Sequence, residues 1–174
     1  NTLYPGSRKN AIEHMYCAWE NGFTPLTVGC PVIIGDGLKG TDDIEVPVEG
    51  GEYVKNAKIG RAIMDADVFI SLNHFKGHET AGFGGAIKNI GMGCGSRAGK
   101  MEQHAQGKPE IDESLCRGCK RCMKECANDG LVYDETTHKM HIDHEKCLGC
   151  GRCIGACNFD AIHSGYDAAT KDFN

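Results

Sequence analysis

The sequence predicts a fold in two parts, an α/β part over residues 1–107 followed by a small α+β module over residues 108–174. Two observations lead to this prediction. In the first part, segments with helical and strand-like hydrophobic spacing alternate, which is typical of an α/β layer. The second part contains two cysteine runs of identical spacing, separated by short segments of alternating apolar residues. A polar connector over residues 101–109 marks the boundary between the parts.

Composition limits the class of protein. The chain has 174 residues, 40% of them hydrophobic, and 24 glycines, which indicates a globular protein with many tight turns. Its formal net charge of −5 argues against nucleic acid or an anionic membrane as the main partner. No apolar run approaches the ~18 residues of a transmembrane helix, so we expect no membrane span. The chain opens at Asn1 without a methionine, and we expect it to be part of a longer polypeptide.

The first part begins with a predicted helix over residues 7–21. Ser7 is a suitable N-cap, and Gly22 is a suitable residue to end the helix. Between them, four apolar side chains recur at helical spacing and define an apolar face. These side chains are Ile12, Met15, Tyr16 and Trp19.

Four strands and a short helix are predicted to follow. The strongest strand is residues 67–72, an apolar run that ends at a polar loop. Residues 44–48 are predicted to form an edge strand, because Pro47 cannot donate a hydrogen bond to a central ladder. The remaining elements are strands over residues 26–34 and 53–59 and a short helix over residues 59–65.

The Gly-rich loop over residues 73–101 is one of two places where we expect chemistry. It follows a predicted strand, and ligands of α/β proteins bind at the carboxyl ends of strands. A helix predicted over about residues 80–90 would direct N–H groups at the same place. Arg97 and Lys100 add positive charge, which predicts a pocket for a carboxylate or phosphate. The candidate catalytic residues are His74, Lys76, His78, Glu79 and Lys88.

Other interpretations of this loop stay open. It is also compatible with a Gly-rich connection that packs against the second part without chemistry of its own. His74 and His78 are four residues apart, as in a zinc-binding helix, although Gly77 lies between them and Glu79 falls outside the H-E-x-x-H order. Cys94 lies between two glycines, and we expect it to be accessible enough to react or to bind a ligand.

Eight of the eleven cysteines fall in two runs with the spacing C-x2-C-x2-C-x3-C. Three cysteines spaced by two residues can wrap one face of a cubane iron–sulfur cluster, which needs four converging thiolates. The fourth cysteine has just entered a short helix and points away, so it serves the other cluster. We therefore predict two [4Fe–4S] clusters. One is held by Cys116, Cys119, Cys122 and Cys157, and the other by Cys147, Cys150, Cys153 and Cys126.

Two other uses of these cysteines are a zinc ribbon and a disulfide framework. A zinc ribbon needs four ligands, and eight cysteines of matched spacing exceed that need. A disulfide framework is typical of small secreted proteins, but no signal peptide is evident and two identical runs are hard to explain as bridges. Both remain alternatives to the clusters.

Short strands are predicted around the two runs. Residues 110–112 lead into the first run, and residues 130–133 and 139–143 form a hairpin between the runs. Residues 161–163 form a last strand that pairs near the first.

Residues 110–165 resemble the bacterial-type ferredoxin with two [4Fe–4S] clusters. The resemblance implies a small ferredoxin-like module that transfers electrons. One departure is that Ala127 and Asn158 stand where the family usually has a proline after the fourth cysteine of each run. A proline there supplies no ligand, so the departure affects the reduction potential rather than the number of clusters.

Residues 73–101 carry a second resemblance. They are similar to the segment H-x-K-G-H-x-x-x-G-F-G-G-A-x-K-N-x-G-M-G-C of an iron–sulfur-centre family, a domain of unknown function. In that family the ferredoxin module follows directly, and members extend beyond both ends of this sequence. The resemblance implies an iron–sulfur protein and leaves its substrate open.

The favoured interpretation is a one-electron transfer protein that works with a redox protein partner. A redox enzyme is the alternative, in which the loop over residues 73–101 binds a small anionic substrate and the clusters supply electrons. A third interpretation is that the clusters only stabilise a small domain. Because such clusters need reduced thiols, we expect a cytoplasmic location.

Overall fold

The computed structural model describes residues 1–52, 54–78, 82–105 and 108–164. Within these ranges the chain forms seven short helices and eight short strands. Each strand pairs with one other strand, and all four pairs are antiparallel. The mixed α and β composition agrees with the prediction, whereas the described residues do not form the layered sheet expected for the first part.

Helix α1 (Ala11–Glu20) begins later than predicted, because Asn10 rather than Ser7 is its N-cap. The Asn10 side chain accepts a hydrogen bond from the Glu13 N–H at 3.0 Å. This bond satisfies one of the backbone N–H groups that have no acceptor within the first turn of a helix. The apolar face of the helix lies at the surface, and Ile12 is 59% exposed.

The strand predicted over residues 26–34 is wrong, because the segment opens with helix α2 (Pro25–Val28). Thr24 caps this helix, and its side chain and that of Thr27 each accept a hydrogen bond from the other residue's backbone N–H. Proline at the first helical position favours the same start. Gly29 then ends the helix at a φ of +75°, a conformation that glycine adopts readily. These capping residues favour a short helix, although the β-branched residues of the segment favour a strand.

The next three elements confirm the predictions. Strand β1 (Asp43–Pro47) pairs with strand β2 (Asn56–Gly60), with Ile44 opposite Ile59. Helix α3 (Arg61–Met64) follows directly. Of the strand predicted over residues 53–59, residues 54 and 55 precede strand β2, and residue 53 lies outside the described residues.

The strand predicted over residues 67–72 is wrong. The segment has no regular structure, and its apolar side chains are exposed, with Ile70 at 77% and Leu72 at 91%. A strand needs a neighbour that pairs its backbone N–H and C=O groups. No backbone hydrogen bond joins residues 67–72 to another segment of the described chain.

The loop over residues 73–101 folds into a hairpin and a helix. Strand β3 (Lys76–His78) pairs with strand β4 (Gly82–Gly84), and helix α4 (Ala86–Gly91) follows. The helix begins later than predicted. Glu79 lies outside the described residues.

Helix α5 (Arg97–Ala105) occupies a segment that was predicted in part as a polar connector, and that prediction is wrong. The Ser96 side chain accepts a hydrogen bond from the Gly99 N–H at 3.2 Å, and the Lys100 N–H donates to the Ser96 carbonyl at 2.8 Å. Ser96 therefore acts as the N-cap, a signal that was visible in the sequence.

The strands predicted around the cysteine runs are confirmed. The elements are strand β5 (Pro109–Ile111), helix α6 (Arg121–Glu125), strands β6 (Leu131–Asp134) and β7 (Lys139–Ile142), helix α7 (Arg152–Ala156) and strand β8 (Ile162–Ser164). Strands β6 and β7 form the hairpin between the runs, and the last strand, β8, pairs with β5.

The buried core lies mainly in the cysteine-containing part, but the first part contributes to it. Leu3 is 3% exposed and Met101, on helix α5, is fully buried, and both pack in this core. The rest of the core comes from residues after 108, namely Cys116, Cys122, Leu131, Met140, Ile154, Cys157, Ala161 and Ile162. The predicted boundary near residue 108 stays a prediction, and side chains from both sides of it share one core.

The helices of the described chain are short. None of them is long and apolar enough to cross a membrane.

Candidate functional site

The two cysteine runs share one backbone conformation, repeated at an interval of 31 residues from Cys116 to Cys147. Gly118 and Gly149, two residues into each run, have φ values of +62° and +69°. Helices α6 and α7 begin at equivalent positions of the two runs. The sequence repeat is therefore also a structural repeat.

The fourth cysteine of each run leaves its helix rather than entering it, which differs from the expectation. Cys126 and Cys157 are the C-caps of helices α6 and α7, and both have extended backbone, with ψ values of 114° and 112°. The extended conformation turns each fourth cysteine away from the three cysteines that precede it.

Two cavities in the structure are each lined by four cysteines, three from one run and the fourth from the other. Their remaining lining is largely apolar and includes Leu131 and Ile142 in one cavity and Met140 and Ile162 in the other. The first cavity is lined by Cys126, Cys147, Cys150 and Cys153. The second is lined by Cys116, Cys119, Cys122 and Cys157. Each cavity is therefore lined by one of the two sets of four cysteines named from the spacing, and cluster binding at these cysteines stays a prediction.

Burial makes one thiol in each cavity less acidic. Burial raises the pKa of Cys153 to about 12, and the neighbouring Cys150 and Cys147 contribute to the rise. Burial likewise raises the pKa of Cys122 to about 11, with a further contribution from Cys157. Without a bound cation these thiols stay protonated at neutral pH. A metal centre in either cavity would therefore displace protons as it binds.

Backbone N–H groups point at three of the cysteine sulfurs. The Gly130 N–H lies 3.3 Å from the Cys126 Sγ, and the Ala161 N–H lies 3.4 Å from the Cys157 Sγ, at equivalent positions of the repeat. The Cys116 Sγ receives two such contacts, from the Gly118 and Met140 N–H groups at 3.5 Å each. Such donors stabilise negative charge on sulfur and are one determinant of the potential of iron–sulfur centres.

Two lysines bind the carbonyls of the first cysteines across the repeat. The Lys139 Nζ donates to the Cys116 carbonyl at 2.5 Å, and the Lys108 Nζ donates to the Cys147 carbonyl at 2.6 Å. The two lysines are themselves 31 residues apart. A lysine from each half of the repeat therefore binds the backbone at the first cysteine of the other half's run.

The donor set of each cavity is four cysteines, which is the ligand type and number of a [4Fe–4S] cluster. Among the described residues, no group of three or more His, Cys, Asp or Glu side chains is placed to hold one metal ion. A structural zinc ion draws four ligands onto one point. A [4Fe–4S] cluster spreads its four thiolates over four iron atoms, so that they stand farther apart. Four cysteines around an apolar cavity suit the second arrangement.

The structure brings together only some of the candidate residues of the loop over residues 73–101. His78 and Lys88 lie within electrostatic range of His104 on helix α5, together with Lys100. Lys76 donates to the Gly77 carbonyl at 3.1 Å. His74 is exposed.

His104 is the residue of this cluster that the sequence analysis missed, because its helix was not predicted. Burial lowers the pKa of His104 to about 4, and the positive charges of Lys88, His78 and Lys100 contribute to this shift. His104 is therefore neutral at physiological pH. Burial also lowers the pKa of Lys88 and that of Lys100.

Protonation of His104 is expected to destabilise the fold. The folded chain takes up this proton near pH 4, whereas the unfolded chain takes it up near pH 6.5. Between these values the unfolded state holds the extra proton, so the free energy of unfolding falls as the pH falls. The slope is at most about 1.4 kcal/mol per pH unit and is reduced by solvent screening of this half-exposed side chain.

Urea unfolding at pH 7 and pH 5 tests this prediction. His104→Asn should lose part of the pH dependence that the unmodified chain shows, and His144→Asn, at an exposed position, should keep it. Equal pH dependence in all three proteins would contradict the prediction.

Cys94 is buried, with 8% exposure, which corrects the expectation that it is accessible. Its carbonyl accepts a hydrogen bond from the Gly60 N–H at 3.0 Å, which fixes it against strand β2. Burial raises the pKa of its thiol, and nearby Lys100 opposes this rise. Cys94 lines a cavity of about 350 Å³ that is also lined by Arg8, His14 and Lys100.

Comparison with known proteins gives one finding about the family. Residues 2–169 match the protein-family model described as a domain of unknown function, DUF362. No curated protein and no solved structure matches the chain. The match covers nearly the whole length, and its description names no activity.

Proposed function

The chain belongs to the DUF362 family, and we propose that it binds two [4Fe–4S] clusters and transfers single electrons to or from a redox protein partner. The observation that carries the proposal is the pair of cavities, each lined by four cysteines, three from one run and one from the other. When bound, such clusters take up and release one electron each. The resulting module is ferredoxin-like and occupies the part of the chain after residue 108.

The residues of the chain support this role in three ways. The lining of both cavities is largely apolar, and Cys116, Cys122 and Cys157 are buried in it. Backbone N–H groups at Cys116, Cys126 and Cys157 stabilise thiolate charge. The interleaved fourth cysteines join the two halves of the repeat, because each half supplies one ligand to the site of the other half. Because the thiols have to stay reduced until iron binds, a cytoplasmic location is part of the proposal.

Counting the electrons that the chain exchanges tests the proposal. The anaerobically purified protein, reduced and then titrated with a one-electron oxidant, should release about two electrons per chain, one from each cluster. Cys119→Ser should release about one, because it removes a ligand of one cluster only. A folded, iron-loaded chain that releases none would contradict electron transfer and favour a purely structural role for the clusters.

A second candidate function is a redox enzyme that reduces or oxidises a small anionic substrate. It is favoured by the cavity that Arg8, His14, Cys94 and Lys100 line, because its volume falls within the range of small-molecule sites. Binding of inorganic phosphate, measured by calorimetry, would support this candidate if Lys100→Gln weakens it while the iron content stays unchanged. Equal binding to both proteins would count against it.

A further inference from the structure

Arg97 is a fully buried cation, with 0% exposure, at the start of helix α5. Its Nη1 donates to the carbonyls of Lys39 at 2.9 Å and Gly151 at 3.2 Å, and its Nη2 donates to the carbonyl of Lys9. The guanidinium therefore joins two segments of the first part to the loop of the second cysteine run.

The charge of Arg97 is not neutralised by a direct partner in the described structure. Its hydrogen bonds all go to carbonyls, and its Nε is buried with no hydrogen-bond partner among the described residues. Asp36 lies within electrostatic range, but its Oδ1 accepts hydrogen bonds from Asn1. A buried cation is stable only beside compensating negative charge.

A cluster in the cavity lined by Cys126, Cys147, Cys150 and Cys153 would supply this negative charge. Gly151, whose carbonyl accepts a hydrogen bond from Arg97, lies in the run between Cys150 and Cys153. The arginine packs closely on two glycines of this run, because a Cβ at Gly151 would lie 2.6 Å from the Arg97 Cδ, and one at Gly155 would lie 2.8 Å from its Nη1. Any side chain at these positions would displace the guanidinium.

Among the described residues, the cations that line the other cysteine cavity, Arg117 and Arg121, are exposed rather than buried. At the repeat positions that correspond to Gly151 and Gly155, the first run carries Lys120 and Lys124. The Lys120 side chain is 47% exposed and lies 3.7 Å from Glu135, so its charge is screened. Lys9 reaches the Cys157 carbonyl at 2.9 Å, but it forms an ion pair with Asp160 at 2.6 Å.

We propose that Arg97 raises the reduction potential of the cluster held by Cys126, Cys147, Cys150 and Cys153 above that of the other cluster, so that an electron on the chain resides there. The inference rests on the proposed function. Reduction adds one negative charge to a cluster, and a buried unpaired cation stabilises that charge more strongly than a solvated or paired one does. The repeat makes the two sites alike, and Arg97 makes them different.

Potentiometric titration followed by EPR tests this inference on the iron-loaded chain. Arg97→Gln is expected to lower the reduction potential of the cluster held by Cys126, Cys147, Cys150 and Cys153 relative to that of the other cluster. The equilibrium constant for one electron shared between the two clusters should change by about tenfold, which corresponds to about 59 mV in the difference between their potentials. Arg97→Lys should keep most of the difference, and the matched control Lys120→Gln should keep all of it. Potentials that do not move in Arg97→Gln, or that move equally for both clusters, would overturn the inference.

Iron analysis of the same samples separates this inference from the proposed function. An unmodified chain without clusters would overturn both the proposed function and this inference. Two clusters whose potentials are the same with and without Arg97 would overturn the inference alone. If Arg97→Gln does not fold, ligand variants decide the question. The centre of higher potential should be lost in Cys150→Ser and kept in Cys119→Ser, and the reverse result would overturn the inference.

Discussion

Replacing Cys116 and Cys157 together with serine is expected to remove one cluster and to leave the other intact, although the two cysteines belong to different runs. The structure places both of them at the same cavity. Replacing Cys147 and Cys157 together is expected to remove both clusters, because these two cysteines line different cavities. Iron and acid-labile sulfide should then be about four of each per chain in the first variant and close to none in the second.

The opposite pattern would show that each run holds its own cluster. In that case the Cys147 and Cys157 variant would keep about four iron atoms, and the Cys116 and Cys157 variant would lose nearly all of them. Cys30→Ser is the control, because Cys30 is exposed and lies outside both runs. It should keep the iron content of the unmodified chain.

Met101→Ala is expected to destabilise the whole chain, including the cysteine-containing part, by about 2–5 kcal/mol. Met101 lies on helix α5, is fully buried and packs in the same core as Cys116 and Cys122. Removing its side chain leaves a cavity where the first part meets the second. Unfolding in guanidinium under anaerobic conditions measures this change as a lower free energy of unfolding and as earlier loss of the cluster absorbance.

A matched methionine provides the control for this prediction. Met64, on helix α3, is 42% exposed, and its replacement by alanine should change stability by less than about 1 kcal/mol. If both variants unfold alike, or if Met101→Ala leaves cluster retention unchanged, the two parts do not depend on one shared core.

The cysteine-containing part is where the sequence predicted most of the structure. The spacing of the runs predicted which cysteines come together, and the alternating segments predicted the β6–β7 hairpin and the pairing of β5 with β8. Local geometry explains this success. The residues of each run are close in sequence, and the glycines at positions 118 and 149 set their turns. Little long-range information was needed, apart from the partner of each fourth cysteine.

The first part was predicted less well, because its elements depend on partners that the sequence does not reveal. The apolar run over residues 67–72 has the composition of a strand but no strand beside it in the described structure. Helix α5 was not predicted because most of its residues are charged or polar, which weakens the apolar periodicity of the segment, although Ser96 is a suitable cap. Without this helix, the sequence did not predict the position of His104 or the burial of Arg97. The glycines that pack on Arg97 are Gly151 and Gly155, which are distant from it in the sequence.

The most direct test of the central claim is the iron and acid-labile sulfide content of the anaerobically purified chain, with EPR after reduction by dithionite. About eight of each per chain, with a signal from two interacting reduced clusters, is the result that two [4Fe–4S] sites predict. About four of each would mean that only one cavity holds a cubane. Zinc without sulfide would contradict the assignment of the eight cysteines, and the cavity lined by Cys94 and Lys100 would then be the remaining candidate for chemistry.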